Sequence, residues 1–398
     1  MIVGSVLLFG VGRQLLRILG ENREARLQSR LSVYREHGQA VSVSELGSSF
    51  PAIEEGQNLI PLFEDEFNRR LAYLLCEDGK RDRRHVPFVD RNGGGPCEWT
   101  FESYGRGRSY VARNTEWLAV VGRFGSYQTF ACKDYEPCTY FAEVRVSFVG
   151  VLEHAVSCLC LQAVLAAQYG EHDESLVRLK AAHNLLRTLL DEPFLSRAVT
   201  AHLCDELVAE AVYVIAVKEL CPKERLDEYL PLCEPLTDSA LRKGFAVERL
   251  VGLDFYYAYK AGYHDDVDPF SLCYLQSYPL FMAVGKVMEF LDHMDVCETI
   301  FDVPPPECFD VARRLNYERI VKGKQNALMY LTPPVYAVLR SYHKSSDRVN
   351  QVAEVLEAAI ASENVVMHEG DVPLAVRKGQ AADAGGVLGA EENVPAPN

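Results

Sequence analysis

The chain has 398 residues, a formal net charge of −15, 48% apolar and 24% charged residues. That length can hold two or three cores, and the fractions are those of a folded globular chain rather than a disordered one. The acidic excess argues against general affinity for nucleic acid or for an anionic membrane surface.

The chain opens MIVGSVLLFGVGRQLLRILGENREARL. Ile2 to Val11 are apolar or small, Arg13 interrupts, and a second apolar run follows. Spanning a bilayer takes about 20 apolar residues, and an arginine near the middle is unfavourable. Three readings compete: a membrane anchor that begins further upstream, a signal-like segment, and a buried or interfacial helix. No small-residue cleavage site follows, which weighs against the second. We expect residues 1–20 to be a single-pass anchor and the polar helix Asn22 to His37 to be a stalk, within a region of stalk and first helices over 21–76. Arg13, Arg17, Arg23 and Arg26 flank the apolar run, and by charge bias they put the main domain in the cytoplasm. Ser42-Val43-Ser44-Glu45 fits a capping box. Ile60 to Cys76 reads as a helix, with Leu59, Phe63, Phe67, Leu71 and Leu75 on one face.

Residues 77–140 form an insert rich in Gly, Arg and aromatics, expected to be irregular or partly β. Gly93-Gly94-Gly95 lacks the Lys-Ser/Thr and the preceding strand of a phosphate loop. Arg81, Arg83, Arg84, Arg106, Arg108, Arg113 and Arg123 make the main basic concentration. With Tyr104, Tyr110 and Trp117 they suit an acidic partner or a single strand of nucleic acid, against the plainer reading of a solvated insert pairing with the chain's own acids. The plainer reading is preferred, so no nucleic acid is expected as a partner.

A helical domain is expected over 141–365. Leu152, Ala155, Val156, Leu159, Ala163, Ala166 and Ala167 recur at helical spacing, and Leu176, Leu179, Ala182, Leu186 and Leu189 repeat the pattern. Gly170 fits a left-handed helix stop and Asp173 an N-cap, so the stretch predicts an antiparallel hairpin. Its turn, YGEHDESLVRLKAAHNL, looks like the middle of a tetratricopeptide repeat, but no second copy follows at a period of about 34 residues. Further helices are predicted at Phe194 to Leu220 (with Leu195, Val199, Leu203, Leu207, Ala211, Val214 and Val217 inward), Asp238 to Lys260, Cys308 to Lys322 and Gln325 to Glu363, the last broken at Pro333-Pro334. Residues 366–398 have the composition of a disordered tail.

In order, these features resemble a group of uncharacterised membrane-anchored helical proteins of planctomycete- and verrucomicrobia-like bacteria. The likeness rests on the N-terminal apolar segment, RLQSRLSVYREHGQAVSVSEL, IEEGQNLIPLFEDEF and, most specifically, CLCLQAVLAAQYGEHDESLVRLKAAHNLLRTLLDEPFLSRAVTAHL. Such proteins often continue into a segment like a pseudopilin C-terminus, from which this chain departs after Val366. The resemblance implies an anchor, an all-α fold (an irregular multi-helix bundle of antiparallel hairpins) and a domain outside the cytoplasmic membrane. It implies no chemistry.

Twelve cysteines are scattered without a C-x-x-C. Cys158 and Cys160 are two apart on a helix and cannot share a metal easily. Buried free thiols are expected, with Cys132 and Cys138 the pair to test in an oxidising compartment. Tyr263-His264-Asp265-Asp266-Val267-Asp268 is metal-like in composition but has no calcium-loop spacing. His293 and Glu289 share a helix face, an arrangement that favours a salt bridge. No hydrolase, zinc-protease, Walker or dinucleotide motif occurs. The sequence therefore assigns no catalytic, cofactor-binding or metal residue. It leaves two functional classes: a membrane-anchored helical module for a protein partner, and an enzyme of unrecognised type with its site in the insert, where Arg106, Arg108 and His85 would be tested.

Overall fold

The computed structural model describes residues 2–48, 57–59, 101–127, 149–261, 280–323 and 326–361. Among them the protein is all-α and has no strand. The helices are α1 (Ile2–Glu36), α2 (Val43–Ser48), α3 (Phe101–Arg113), α4 (Thr115–Phe124), α5 (Val149–Gln168), α6 (His172–Thr188), α7 (Leu195–Val217), α8 (Ser239–Ala261), α9 (Leu280–Thr299), α10 (Glu307–Gly323) and α11 (Val335–Ala361). Short 3₁₀ turns lie at Lys223–Glu228, Leu230–Cys233, Ile300–Asp302 and Ala327–Leu331.

The hairpin forms as its glycine and alanines dictate. Gly170 sits at φ +78°, the Glu171 N–H donates to the Ala166 carbonyl and the Gly170 N–H to that of Ala167. Together these make a Schellman stop, which needs a residue free to be left-handed. Asp173 does not cap α6. The cap position is Glu171, with no side-chain bond, and Asp173 instead accepts from Arg225 at 2.7 Å. The expected capping box is present: Ser42 Oγ accepts from the Glu45 N–H, and Glu45 Oε2 accepts from Val41 N, one residue earlier than in the usual box.

Two cores result. In the first, α5 lies against α6 and α7, with α3, α4, the turns at 223–233 and the C-terminal half of α11 around them. Ala155, Ala163 and Cys204 are fully buried there. By length and composition Val151–Gln168 is the one segment among the described residues apolar enough to cross a membrane, yet 72% of it is buried inside the fold. It is apolar because its neighbours cover it nearly all round.

The second core joins α1, α2, α8, α9 and α10 with the N-terminal ends of α7 and α11. Gly244 of α8 touches α7 so closely that a Cβ there would lie 2.7 Å from the Leu195 Cα. α7 and α11 enter both cores and run parallel: Lys344 pairs with Glu206, Ser345 Oγ donates to the His202 carbonyl, and Arg348 holds Glu210 at 2.5 Å and 2.9 Å.

Two expectations change here. Asn22 to His37 is not a free stalk, because Leu27, Leu31 and Tyr34 are buried against α8 and α9. The polar residues that suggested a stalk are the ones that tie it down. Arg30 donates to Asp292 and Asp295, each at 2.6 Å, and Tyr34 Oη to Asp295 at 2.7 Å. Glu24 accepts from Tyr256 and from Lys260 at 2.8 Å. Burial would push the Glu24 carboxyl up, but these donors hold it below the usual range. The order of contacts makes α1 parallel to α9 and antiparallel to α8. In the insert, Phe101–Arg113 and Thr115–Phe124 are helical, not irregular or β. The predicted Ile60–Cys76 helix and the 366–398 tail lie outside the described residues.

Arg249, 3% exposed, completes the tie. It reaches Gln39 at 2.6 Å, Asp295 at 3.3 Å and Glu298 at 3.2 Å, with its guanidinium 4.1 Å from the centre of the Tyr34 ring. Removing one member of such a set leaves buried charge uncompensated, so Arg249→Met is expected to lose on the order of 3 kcal/mol in urea denaturation. Arg249→Lys should recover little, since an ammonium cannot serve the same fork. A loss below about 1 kcal/mol, the range of an exposed pair, would show that the tie is dispensable.

Candidate functional site

The turn from α6 to α7 faces the connection into α8, and a cleft of about 210 Å³ opens between them, lined among others by Glu192, Pro193, Leu236, Thr237, Ser239 and Lys243. α6 closes at Thr188, and the buried Phe194 starts α7. Beneath the turn Arg197 Nη2 lies 2.7 Å from Glu192 Oε2, the two side chains 1% and 0% exposed. The carboxylate precedes the first turn of α7, where the helix dipole favours negative charge. The volume is below the several hundred Å³ usual for organic ligands, so the cleft suits water or a few-atom guest.

Asp205 stands behind this wall. It is 1% exposed, and Oδ2 accepts from the Leu236 N–H at 3.1 Å while Oδ1 has no hydrogen-bond partner. Burial pushes its carboxyl up to about 7, against the pull of the Leu236 amide and of Arg187. On the same helix His202 is buried with Nε2 unpartnered, and burial brings its imidazole down to about 4. Periodicity did not find this acid. The predicted inward face of α7 included Leu203 and Leu207, but these are half-buried, while Ala201, Cys204, Asp205, Val208, Val212 and Ile215 are buried. The true face is turned by about one residue, because α5, α8 and α11 also cover α7. The adjacent acids Asp205 and Glu206 within the run HLCDELVA were the available signal, and periodicity does not say which of the two is buried.

The insert's basic residues do not build a site among the described residues. Arg106, Arg108, Arg113 and Arg123 are exposed on α3 and α4, and Arg108 lies 5.9 Å from the Tyr169 ring centre. The aromatics between them turn inward. Tyr104 and Tyr110 are buried, with Tyr110 Oη 3.1 Å from His154 Nε2, and Trp117 packs edge-on to Phe124. They are therefore core residues, not a stacking platform. Burial pushes the Tyr110 phenol far up. The expected His293–Glu289 bridge is replaced: Glu289 accepts from Asn326 at 3.2 Å and lies 3.9 Å from Lys286. His293 is 5% exposed and brought down to about 4 by burial. No group of three metal-ligating side chains occurs among the described residues. Arg81, Arg83, Arg84, His85, Gly93 to Gly95, Cys132, Cys138 and Tyr263 to Asp268 lie outside them.

No protein-family model, curated protein or solved structure matches the chain.

The sign of the Asp205 effect is fixed. Its carboxyl is raised from 3.8 to about 7 in the fold, so the folded state holds a proton that the unfolded state releases. That contribution is full below the unfolded value and is lost as pH rises through 7. Asp205→Asn keeps an acceptor for Leu236 and removes the ionisation. The melting temperature of the variant relative to the parent should therefore climb by several degrees between pH 5 and pH 8. An equal difference at both pH values would mean that Asp205 does not titrate in this range.

Proposed function

We propose that the protein is a membrane-attached helical module that holds its helical body against the bilayer and presents it to a protein partner. One observation carries this reading. Leu15, Leu16, Ile18 and Leu19 are 47–55% exposed on α1. At about 100° per residue, Leu15 and Ile18 lie a third of a turn or more from the stripe of Leu27, Leu31 and Tyr34 that meets the body and Leu19 about a quarter of a turn, while Leu16 stays in phase with it. A stripe serving the core alone would stay in phase and be covered, whereas most of this one turns away and Leu16, in phase, is 47% exposed. Gln14, Arg17 and Glu21 share the other side, with Arg17 and Glu21 paired at 2.9 Å. The neighbours of α1 end at this level: Lys260, one residue before the end of α8, meets Glu24, and Arg23 lies over Gly285 near the start of α9. The apolar sequence from Ile2 continues along the same helix on the N-terminal side of these contacts. The resemblance to anchored helical proteins points the same way and favours a body outside the cytoplasmic membrane. For the partner, Tyr317, Ile320 and Val321 are 68%, 53% and 44% exposed at i, i+3 and i+4 on α10.

Fractionation of cells making the chain with a reporter active only outside the cytoplasm, fused after Asn398, tests this reading. The expected result is a carbonate-resistant membrane protein with an active reporter. Replacing Leu15, Leu16, Ile18 and Leu19 together by Gln should weaken attachment at least tenfold while the melting transition stays in place. A parent protein found wholly in the soluble fraction would overturn the reading. A photo-crosslinker at Tyr317 should then capture one discrete protein, whereas capture of lipid alone would overturn the partner half.

A further inference from the structure

At the C-terminal end of α9 the chain turns through Ile300–Asp302 into α10, whose second residue is Cys308. The Cys308 N–H donates to the Pro304 carbonyl and the Phe309 N–H to that of Pro306, which fixes the first turn. Cys308 Sγ lies 3.9 Å from His343 Nε2 on α11. The imidazole is held by Phe309, 5.2 Å between ring centres, and by Tyr342 at 5.0 Å. Asp347, one helical turn beyond His343, shares its face. Burial pushes the Cys308 thiol up and the His343 imidazole down, so the resting pair is neutral. Each is also pulled the other way: the amides of Phe309 and Cys308 favour the thiolate, and Asp347 favours the imidazolium. Glu307, next to Cys308, opposes the thiolate. Among the seven described cysteines, all free and buried, Cys308 is the one with a hydrogen bond between its sulfur and an imidazole nitrogen.

We propose that Cys308 is a thiol selectively oxidised by hydrogen peroxide, with His343 as its base and Asp347 as the carboxylate that supports the imidazolium. The thiol is 1% exposed, which excludes bulky electrophiles and leaves a water-sized oxidant as the fitting reactant. The thiol proton passes to His343 Nε2 as Sγ attacks the nearer oxygen of the peroxide. An S–O bond forms, the O–O bond breaks, sulfur loses two electrons, and the departing hydroxide takes the proton from His343 to leave as water. The product is Cys308 sulfenic acid, the reversible first step of thiol oxidation.

The test is site-resolved mass spectrometry of the whole folded protein treated with hydrogen peroxide and a sulfenic-acid trap. Trapping at Cys308 should run at least tenfold ahead of Cys160 and Cys204, and His343→Ala should slow it by tenfold or more, within the range of general-base catalysis. His343→Gln serves in its place should His343→Ala lose its melting transition. Asp347→Asn should lower the plateau rate a few-fold and move the acid limb of its pH profile to lower pH, which a merely structural role would not do. Trapping at Cys308 no faster than at Cys160 and Cys204, or at a rate indifferent to the folded His343 variant, would overturn the proposal. The outcome does not depend on membrane attachment.

Discussion

A guanidinium cut off from water has to be satisfied by the protein on all sides, and Arg249 sets that condition for the lower half of this fold. Its desolvation costs several kcal/mol, an amount that one ion pair does not reliably return. Here the return comes from three helices together: Gln39 and the Tyr34 ring beyond and on α1, Asp295 and Glu298 on α9, and the Ala246 carbonyl on its own helix. Arg30 then shares Asp295 from the other side. Leucines such as Leu27 and Leu31 would tolerate a shift of one turn along an apolar groove. The charges would not, because a slipped α1 would strand Arg249 with only part of its set. In this protein the buried network fixes register, and the leucines supply the adhesion.

The rest of the interior is kept neutral around such pairs. Burial brings His183, His202 and His293 to about 4, holds the Cys158, Cys233 and Cys297 thiols near 12, and raises Asp205 and Glu248 to about 7. Where charge is buried outright it is paired, as in Arg197 with Glu192, and Asp205 and Glu248 stay mostly neutral below pH 7. This matters most between α7 and α11, which bind the two cores to each other. There the pairs Lys344–Glu206 and Arg348–Glu210 flank His202, whose neutral ring lies edge-on to Tyr342 at 5.1 Å. An imidazolium at that place would bring a charge into the buried seam that both cores share, a cost that the nearby Asp238 offsets only in part.

Much of this was legible in the sequence, and what was missed has a common cause. The hairpin, the Gly170 stop, the Ser42 cap and the break before Val335 depend on local chemistry, and local chemistry is what a sequence carries. The predicted end of α7 at Leu220 overshoots, because the helix closes at Val217 with Glu219 left-handed at φ +52°, a conformation that sequence does not announce in a glutamate. Its inward face was misread because a helix covered by several neighbours has no single apolar stripe. The polar residues of Asn22 to His37 suggested solvent because their partners, from Tyr256 to Glu298, lie more than two hundred positions away. The Tyr and Trp residues of the insert suggested a binding surface because an aromatic beside an arginine reads alike whether it faces out or in. Asp205, and the approach of Cys308 to His343, are tertiary facts that no spacing announces.

Those same tertiary contacts give the N-terminal half of α1 a fixed direction. The helix is continuous from Ile2 to Glu36, roughly 50 Å at 1.5 Å per residue. Its second half is clamped in rotation by Arg30, Tyr34 and Arg249, so Leu15, Ile18 and Leu19 cannot turn toward the body without breaking the clamp. In the sequence the helix changes character at Arg13: Ile2 to Val11 are apolar or small on every side, while from Gln14 to Glu21 apolar residues keep to one side and polar residues to the other. An all-round apolar helix matches a hydrocarbon interior and a one-sided helix matches a boundary between apolar and aqueous phases. The order of the two along one rigid rod places that boundary between Arg13 and Glu21, immediately outside the level at which α8 ends and α9 begins, and so places that end of the body next to the bilayer under the proposed reading.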